Sequence, residues 1–166
     1  LRDMFERRAR PKHLELCADL APNHGTERLK LYLMIGLPSP NDADIDECVA
    51  FVTELSKIAP IALGIAPFCA KRNTPLDGEP FAGVDVVHDR LDRLKRGLRG
   101  RVEVRSTSAK WAWVEYVLAQ GAEAEGRALC EAARAGGTFA AFKRAFEKLE
   151  MQRPDRPRRA LAIARV

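Results

Sequence analysis

The hydrophobic pattern changes period several times along the chain, and the changes predict a βαβ order. Leu31-Tyr32-Leu33-Met34-Ile35 is a short, almost wholly apolar run behind Lys30, stopped by Gly36 and Pro38. A strand buried on both faces in a parallel sheet reads this way. Ile45, Val49, Val52 and Leu55 then recur at spacings of three and four, with Asp42 and Asp44 ahead of them. Acids in a first turn suit the positive end of a helix dipole. A second apolar run, Ile61-Ala62-Leu63-Gly64-Ile65-Ala66, follows Pro60. The unit is therefore strand 29–36, helix 42–58 and strand 61–66, a crossover whose ligands belong at the carboxyl ends of its strands.

The flanking segments extend the pattern. Pro11 suits a first helical turn, and Leu14, Leu16, Cys17, Ala18 and Leu20 predict a helix to about residue 21, with Gly25 as a left-handed stop. Val87, Leu91, Leu94 and Leu98 share one face of a helix over 86–98. Residues 101–106 alternate polar and apolar with period two, which predicts a half-buried edge strand. Thr107 or Ser108 caps a helix carrying Trp111, Trp113, Val114, Tyr116, Val117 and Leu118, stopped by Gly121. Two more helices are expected, over 123–135 and 139–149. Phe139, Phe142 and Phe146 form a core stripe on the last. Trp111 and Trp113 cannot share one helix face, so one is expected in the core and the other against a loop, a ligand or a further segment.

Composition narrows the class. The chain has 166 residues, 46% hydrophobic and 31% charged, with a net charge of +5. That is enough chain for a real core and an ordinary globular balance. The charge permits nucleic-acid or acidic partners without requiring them. No apolar run is long enough to span a bilayer, and the first residues lack the apolar segment of a signal peptide. No membrane partner is expected, and the expected compartment is the cytoplasm. The chain opens on Leu1, which reads as a fragment or a cloning scar.

Candidate chemistry is sparse. Cys17, Cys48, Cys69 and Cys130 are far apart, so neither a zinc site nor a cluster motif can be written from them, and no metal ligand is assigned. Cys17 and Cys48 are expected as packed thiols in helices. His13 and Cys17, four apart, lack the ligand count of a metal site, and His88 falls on a polar helix face. Phosphate-loop, dinucleotide-binding and nucleophile-elbow motifs are all absent. The longest irregular stretch, residues 67–85, leaves a strand's carboxyl end and carries Lys71 and Arg72. Loops of that length are functional or disordered.

Two landmarks carry a family resemblance. Leu29-Lys30-Leu31-Tyr32-Leu33-Met34-Ile35-Gly36-Leu37-Pro38, with Asp42, Asp44 and the helix behind them, resembles the fifth-strand region of radical S-adenosylmethionine enzymes. Ala66-Pro67-Phe68-Cys69-Ala70-Lys71-Arg72-Asn73-Thr74-Pro75 resembles the sixth-strand segment, usually PFVPKxxTP. The look is that of the branches related to the tRNA methylthiotransferases and of the cobalamin-binding branch. Val104-Arg105-Ser106, Trp111 to Gly121 and Gly136-Gly137-Thr138-Phe139 resemble the C-terminal extension of one such branch, so the likeness covers roughly residues 12 to 148. Three features depart from the pattern: the CxxxCxxC cluster motif is missing, Ala70 and Arg72 replace prolines, and Ser39-Pro40-Asn41 stands where Gly-Glu is common.

The resemblance implies an α/β fold, the C-terminal part of a partial (β/α)6 TIM-like barrel with parallel strands. It would divide into barrel residues 1–106, a small helical extension 107–150 and a basic tail 151–166. It implies an Fe–S oxidoreductase that cleaves S-adenosylmethionine reductively to start radical chemistry. The 4Fe–4S ligands would lie in the missing N-terminal half of the same protein, and cobalamin would be a further cofactor in one branch. Ile35, Gly36, Ala66, Pro67 and Phe68 would lie against S-adenosylmethionine, and Lys71 would meet an anionic group of the substrate, whether tRNA or a small molecule. No catalytic acid or base is assigned. The competing reading is a non-catalytic α/β module that binds nucleic acid through its basic loop and tail.

Overall fold

A computed structural model describes residues 10–38 and 41–150. Expectations for the charged start, for Ser39 and Pro40, and for the basic tail with its late strand at 160–164 lie outside the described residues. The elements are α1 (Pro11–Leu20), a 3₁₀ turn (Pro22–His24), β1 (Leu29–Ile35), α2 (Asp42–Ile58), β2 (Ile61–Pro67), α3 (Val84–Leu98), β3 (Glu103–Ser106), α4 (Ala109–Gln120), α5 (Glu123–Arg134) and α6 (Phe139–Glu150). Gly25 closes the 3₁₀ turn at φ 68°, the left-handed position that glycine holds without penalty.

The three strands form one open parallel sheet in the order β1-β2-β3. Leu29 N donates to Pro60 O at one end of the β1–β2 pair and Phe68 N donates to Ile35 O at the other. Those two bonds run the strands in the same direction. Ala62 pairs with Glu103 and Gly64 with Arg105 across β2 and β3. The architecture is α/β, and the described residues hold an open sheet rather than a closed barrel.

β1 corrects one expectation. It is not buried on both faces: Lys30, Tyr32 and Met34 are exposed while Leu31 and Leu33 are half-buried and Ile35 is buried. The cause is layering: only one face of β1 is covered among the described residues, and on the same face of the central strand Gly64 and Ala66 are not buried either. β2 lies in the centre and is buried at Ile61, Ala62, Leu63, Ile65 and Pro67. β3 alternates as a half-buried edge strand should. Cys17 is also exposed rather than packed, since Ala18 is the buried residue of α1.

The chain divides into two compact units. Of the described residues, the first comprises 10–33, 41–66 and 89–106. Its core is built from Ile45, Val52, Leu55, Leu63, Ile65, Leu91, Leu94 and Leu98. Asn41 caps α2, its Oδ1 accepting from Ala43 N at 2.8 Å, and Asp44 Oδ2 accepts in return from Asn41 N at 2.7 Å. This reciprocal cap satisfies two helix-end donors. Arg93 of α3 forks onto Asp46 of α2, Nε to Oδ1 at 2.7 Å and Nη2 to Oδ2 at 2.5 Å. The guanidinium holds the Asp46 carboxyl below its ordinary value, chiefly through this hydrogen bond.

The second unit comprises, of the described residues, 34–38, 67–88 and 107–150. Val114, Ala128, Ala132, Ala141, Phe142 and Phe146 form its buried cluster. The phenylalanine stripe is core, as its spacing predicts. Trp113 is packed there, its ring 5.8 Å from both Phe139 and Phe146. Trp111 is 47% exposed, and its edge still meets Phe142 at 5.6 Å. No described helix is long and apolar enough to cross a membrane.

Two glycines test the packing with opposite signs. A Cβ on Gly97 in α3 would lie 2.6 Å from Val49 Cγ1 and 2.9 Å from Cγ2 in α2. Gly97→Ala therefore lowers stability by about 1–3 kcal/mol through overpacking, although alanine is the better helix former. A Cβ on Gly126 in α5 would meet nothing within 4 Å, so Gly126→Ala raises stability by about 0.5–1 kcal/mol. Thermal melts separate the two, at about 2–4 °C per kcal/mol in a chain of this size. Val49→Ala added to Gly97→Ala restores most of the loss; no recovery would place the strain elsewhere.

Candidate functional site

The segment leaving β2 is ordered by its own short-range bonds and by α4. Cys69 Sγ donates to Ala112 O at 3.1 Å. Lys71 pairs with Glu115. Thr74 Oγ1 donates to Lys71 O at 2.7 Å, and Asn73 N donates to Asp77 Oδ2 at 3.0 Å with Asn73 at φ 60°. Gly78 N donates to Gln120 Oε1 at 3.2 Å, and the Phe81 and Tyr116 rings stand 5.7 Å apart. A long irregular loop is thus tied down without secondary structure of its own, which is how ordered loops escape their entropy cost.

The two sequence landmarks come together. Ile35 ends β1, Pro67 ends β2, and the 2.7 Å bond from Phe68 N to Ile35 O joins them at their carboxyl ends. Of the five residues expected against a ligand, Ile35, Gly36, Pro67 and Phe68 are buried and Ala66 is exposed. Ile35 and Phe68 are 3% and 8% accessible as residues, so their side chains are spent on packing. The Lys71 ammonium is already matched by Glu115, so an anion arriving there must compete with that carboxylate.

Gly36 has a local explanation. Its φ is 75°, and a Cβ would meet Ala82 Cβ and Val87 Cγ2, each at 3.3 Å. The space beside its Cα is filled by the chain's own side chains, so a turn conformation and close packing account for the glycine. Ligand approach is not needed to explain it.

The thiols divide by environment. Burial, with Glu115 nearby, pushes the Cys69 thiol up to about 11. Burial also raises Cys48. Cys17 and Cys130 are exposed. Among the described residues no three His, Cys, Asp or Glu side chains are grouped to hold a metal ion. The donor set for a cluster is therefore not assembled by the described part of this chain.

No protein-family model matches the chain. No solved structure matches it. It is similar to a curated protein of the archaeon Methanocaldococcus jannaschii, "Uncharacterized protein MJ0966", with 30% identity over 82 residues. The match covers 49% of this chain and 18% of the archaeal protein, so the matched segment spans less than a fifth of that protein's length.

Gly36→Ala lowers the melting temperature by roughly 2–8 °C, since a left-handed backbone costs a side chain about 1–2 kcal/mol even before Ala82 and Val87 give way. An unchanged melt would show that the turn relaxes freely. In a timed alkylation at pH 8, Cys17 and Cys130 react first and Cys69 lags until the chain is unfolded, because the thiolate is the nucleophile. With its thiol raised, Cys69 holds its proton as pH climbs from 8. Its alkylation rate should increase about tenfold per pH unit and level off near 11. A plateau near pH 9 would contradict the buried environment.

Proposed function

We propose that this chain is the C-terminal part of the core of a radical S-adenosylmethionine enzyme, followed by a helical extension. The observation that supports the reading is the meeting of the two landmark segments. Ile35 and Phe68 are 33 residues apart in sequence, yet they share a hydrogen bond at the carboxyl ends of adjacent parallel strands. That end of a parallel α/β sheet is where ligands bind. The strand order, each new strand added beside the last, is the order that part of a β/α barrel would have.

In this reading a cluster held by residues outside this chain would supply the one electron for cleavage of S-adenosylmethionine to methionine and a 5′-deoxyadenosyl radical. This chain's contribution is a wall. Ala66, the exposed member of the five, would lie against the adenosine, with a side chain small enough to admit it. Ile35, Gly36, Pro67 and Phe68 would serve as the packed support of the strand ends. Lys71, held by Glu115, would turn to an anionic substrate group only when that pair opens. The substrate, whether tRNA or a small molecule, and any use of cobalamin belong to the whole enzyme. The competing reading is nucleic-acid binding through the loop cations and the basic tail. It predicts an affinity that falls steeply with salt.

The full-length protein tests the proposal. After anaerobic reconstitution it should carry a reducible 4Fe–4S cluster and release 5′-deoxyadenosine, whereas the 166-residue chain alone should take up no stoichiometric cluster. Ala66→Leu in the full-length enzyme should raise the apparent KM for S-adenosylmethionine about tenfold or more while the melting temperature stays within about 2–4 °C. Full-length protein without a cluster motif, or cleavage unchanged in Ala66→Leu, would remove the enzyme reading or the wall assignment respectively.

A further inference from the structure

The three helices of the second unit do not close completely on one another. Tyr116, Val117 and Gln120 of α4, Glu125 of α5, and Phe146 and Leu149 of α6 line a cavity of about 130 Å³. An apolar cavity of about 150 Å³ takes one benzene, so this space has room for a single small ring. Its wall is mixed rather than apolar. Two aromatic rings and two aliphatic side chains share it with a carboxamide and a carboxylate.

The carboxamide is oriented. Gln120 Oε1 accepts from Gly78 N at 3.2 Å, which leaves Nε2 as the other end. That Nε2 is buried and has no hydrogen-bond partner among the described residues. A buried donor left unpaired is costly, and in a native fold it calls for an acceptor. The carboxylate sets the opposite demand. Glu125 is 2% exposed, and its Oε2 accepts from Ala122 N at 2.6 Å. A carboxylate has about four lone-pair sites, so it can take a further donor alongside its present partners, and its charge disfavours an anion in the cavity.

The same wall holds the loop that leaves β2. Tyr116 stands 5.7 Å from the Phe81 ring, and Gln120 receives the Gly78 amide. Hydrogen bonds in a chain polarise one another. A bond donated from Gln120 Nε2 therefore strengthens the one accepted at Gln120 Oε1.

We propose that this cavity binds a small neutral aromatic carboxamide as an effector that fastens the loop to α4. The ring packs against Tyr116 and Phe146, the carbonyl accepts from Gln120 Nε2, and the amide N–H donates to Glu125. The class follows from the wall: an acceptor for Gln120, a donor for Glu125, no negative charge, and the size of one ring. The site needs no cluster and uses none of the residues assigned to S-adenosylmethionine, so it stands or falls separately from the enzyme reading.

Titration of the isotope-labelled 166-residue chain with benzamide, followed by NMR, tests it. Benzoate replaces the amide by an anion, and toluene removes both polar groups. Benzamide should shift the Gln120 side-chain amide saturably, with a Kd of about 1 mM or tighter. Benzoate and toluene should each bind about fivefold more weakly or worse. At saturation the Gly78 amide should exchange with solvent about threefold more slowly or less, as a fastened loop requires. Gln120→Leu should weaken benzamide about tenfold, the loss of one buried hydrogen bond, and leave toluene unchanged. Val117→Phe puts a ring into the cavity and should abolish binding. If that variant melts low, Gln120→Leu keeps the test open. No saturation by about 10 mM, benzoate or toluene binding as tightly as benzamide, or full benzamide affinity in Gln120→Leu would overturn the site. Saturation with Gly78 exchange unchanged would overturn its role as an effector site.

Discussion

A central parallel strand must pair its backbone on both edges, and that requirement governs this molecule. β2 lies between β1 and β3, and buried N–H and C=O groups left unpaired cost as much as a lost hydrogen bond. The bonds from Leu29 N to Pro60 O and from Phe68 N to Ile35 O fix β1 against β2 at both ends. The pairs of Ala62 with Glu103 and Gly64 with Arg105 fix the other edge. A slip of one residue would turn Ile61, Leu63 and Ile65 out to solvent, because side chains alternate with period two. The core of the first unit and the junction of the strand ends both follow from this one register.

The second unit is organised by a different interaction. α4 holds the loop that leaves β2 through Ala112 O, Glu115, Tyr116 and Gln120, while aromatic contacts from Trp113 and Trp111 reach α6. One helix thus serves two partners on different sides, and its apolar residues are spread around it rather than confined to a stripe. The turn from α4 to α5 is equally constrained. Glu125 is 2% exposed and accepts from Ala122 N at 2.6 Å, and a Cβ on Gly121 would come within 2.6 Å of Glu125 Cγ. A buried carboxylate is costly unless hydrogen-bonded, and the missing side chain at Gly121 leaves room for it.

Most of the element order is legible in the sequence because it rests on local rules. Period changes, Pro60, Gly25, Gly121 and the Gly136-Gly137 break delimit elements through backbone sterics that act within a few residues. The phenylalanine stripe of α6 is legible for the same reason. The acids at the start of α2 draw attention away from its cap, Asn41, although an Asn followed three residues later by an acid is a capping signal. β1 departs from its expected double burial because an apolar run does not say whether a second layer covers it. The exposed Tyr32 and the half-buried Leu33 look alike to hydropathy.

The candidate site divides along the same line. The sequence by itself determined that two apolar strands end in Gly36 and Pro67 with a helix between them, since residue type and spacing act through the chain's own short-range geometry. Only the tertiary structure decided that Ile35 and Phe68 are neighbours, that Gly36 is packed against Ala82 and Val87, and that Lys71 already has Glu115. Each of these is a meeting of segments far apart along the chain. Such meetings depend on strand register and helix packing, which no local pattern encodes.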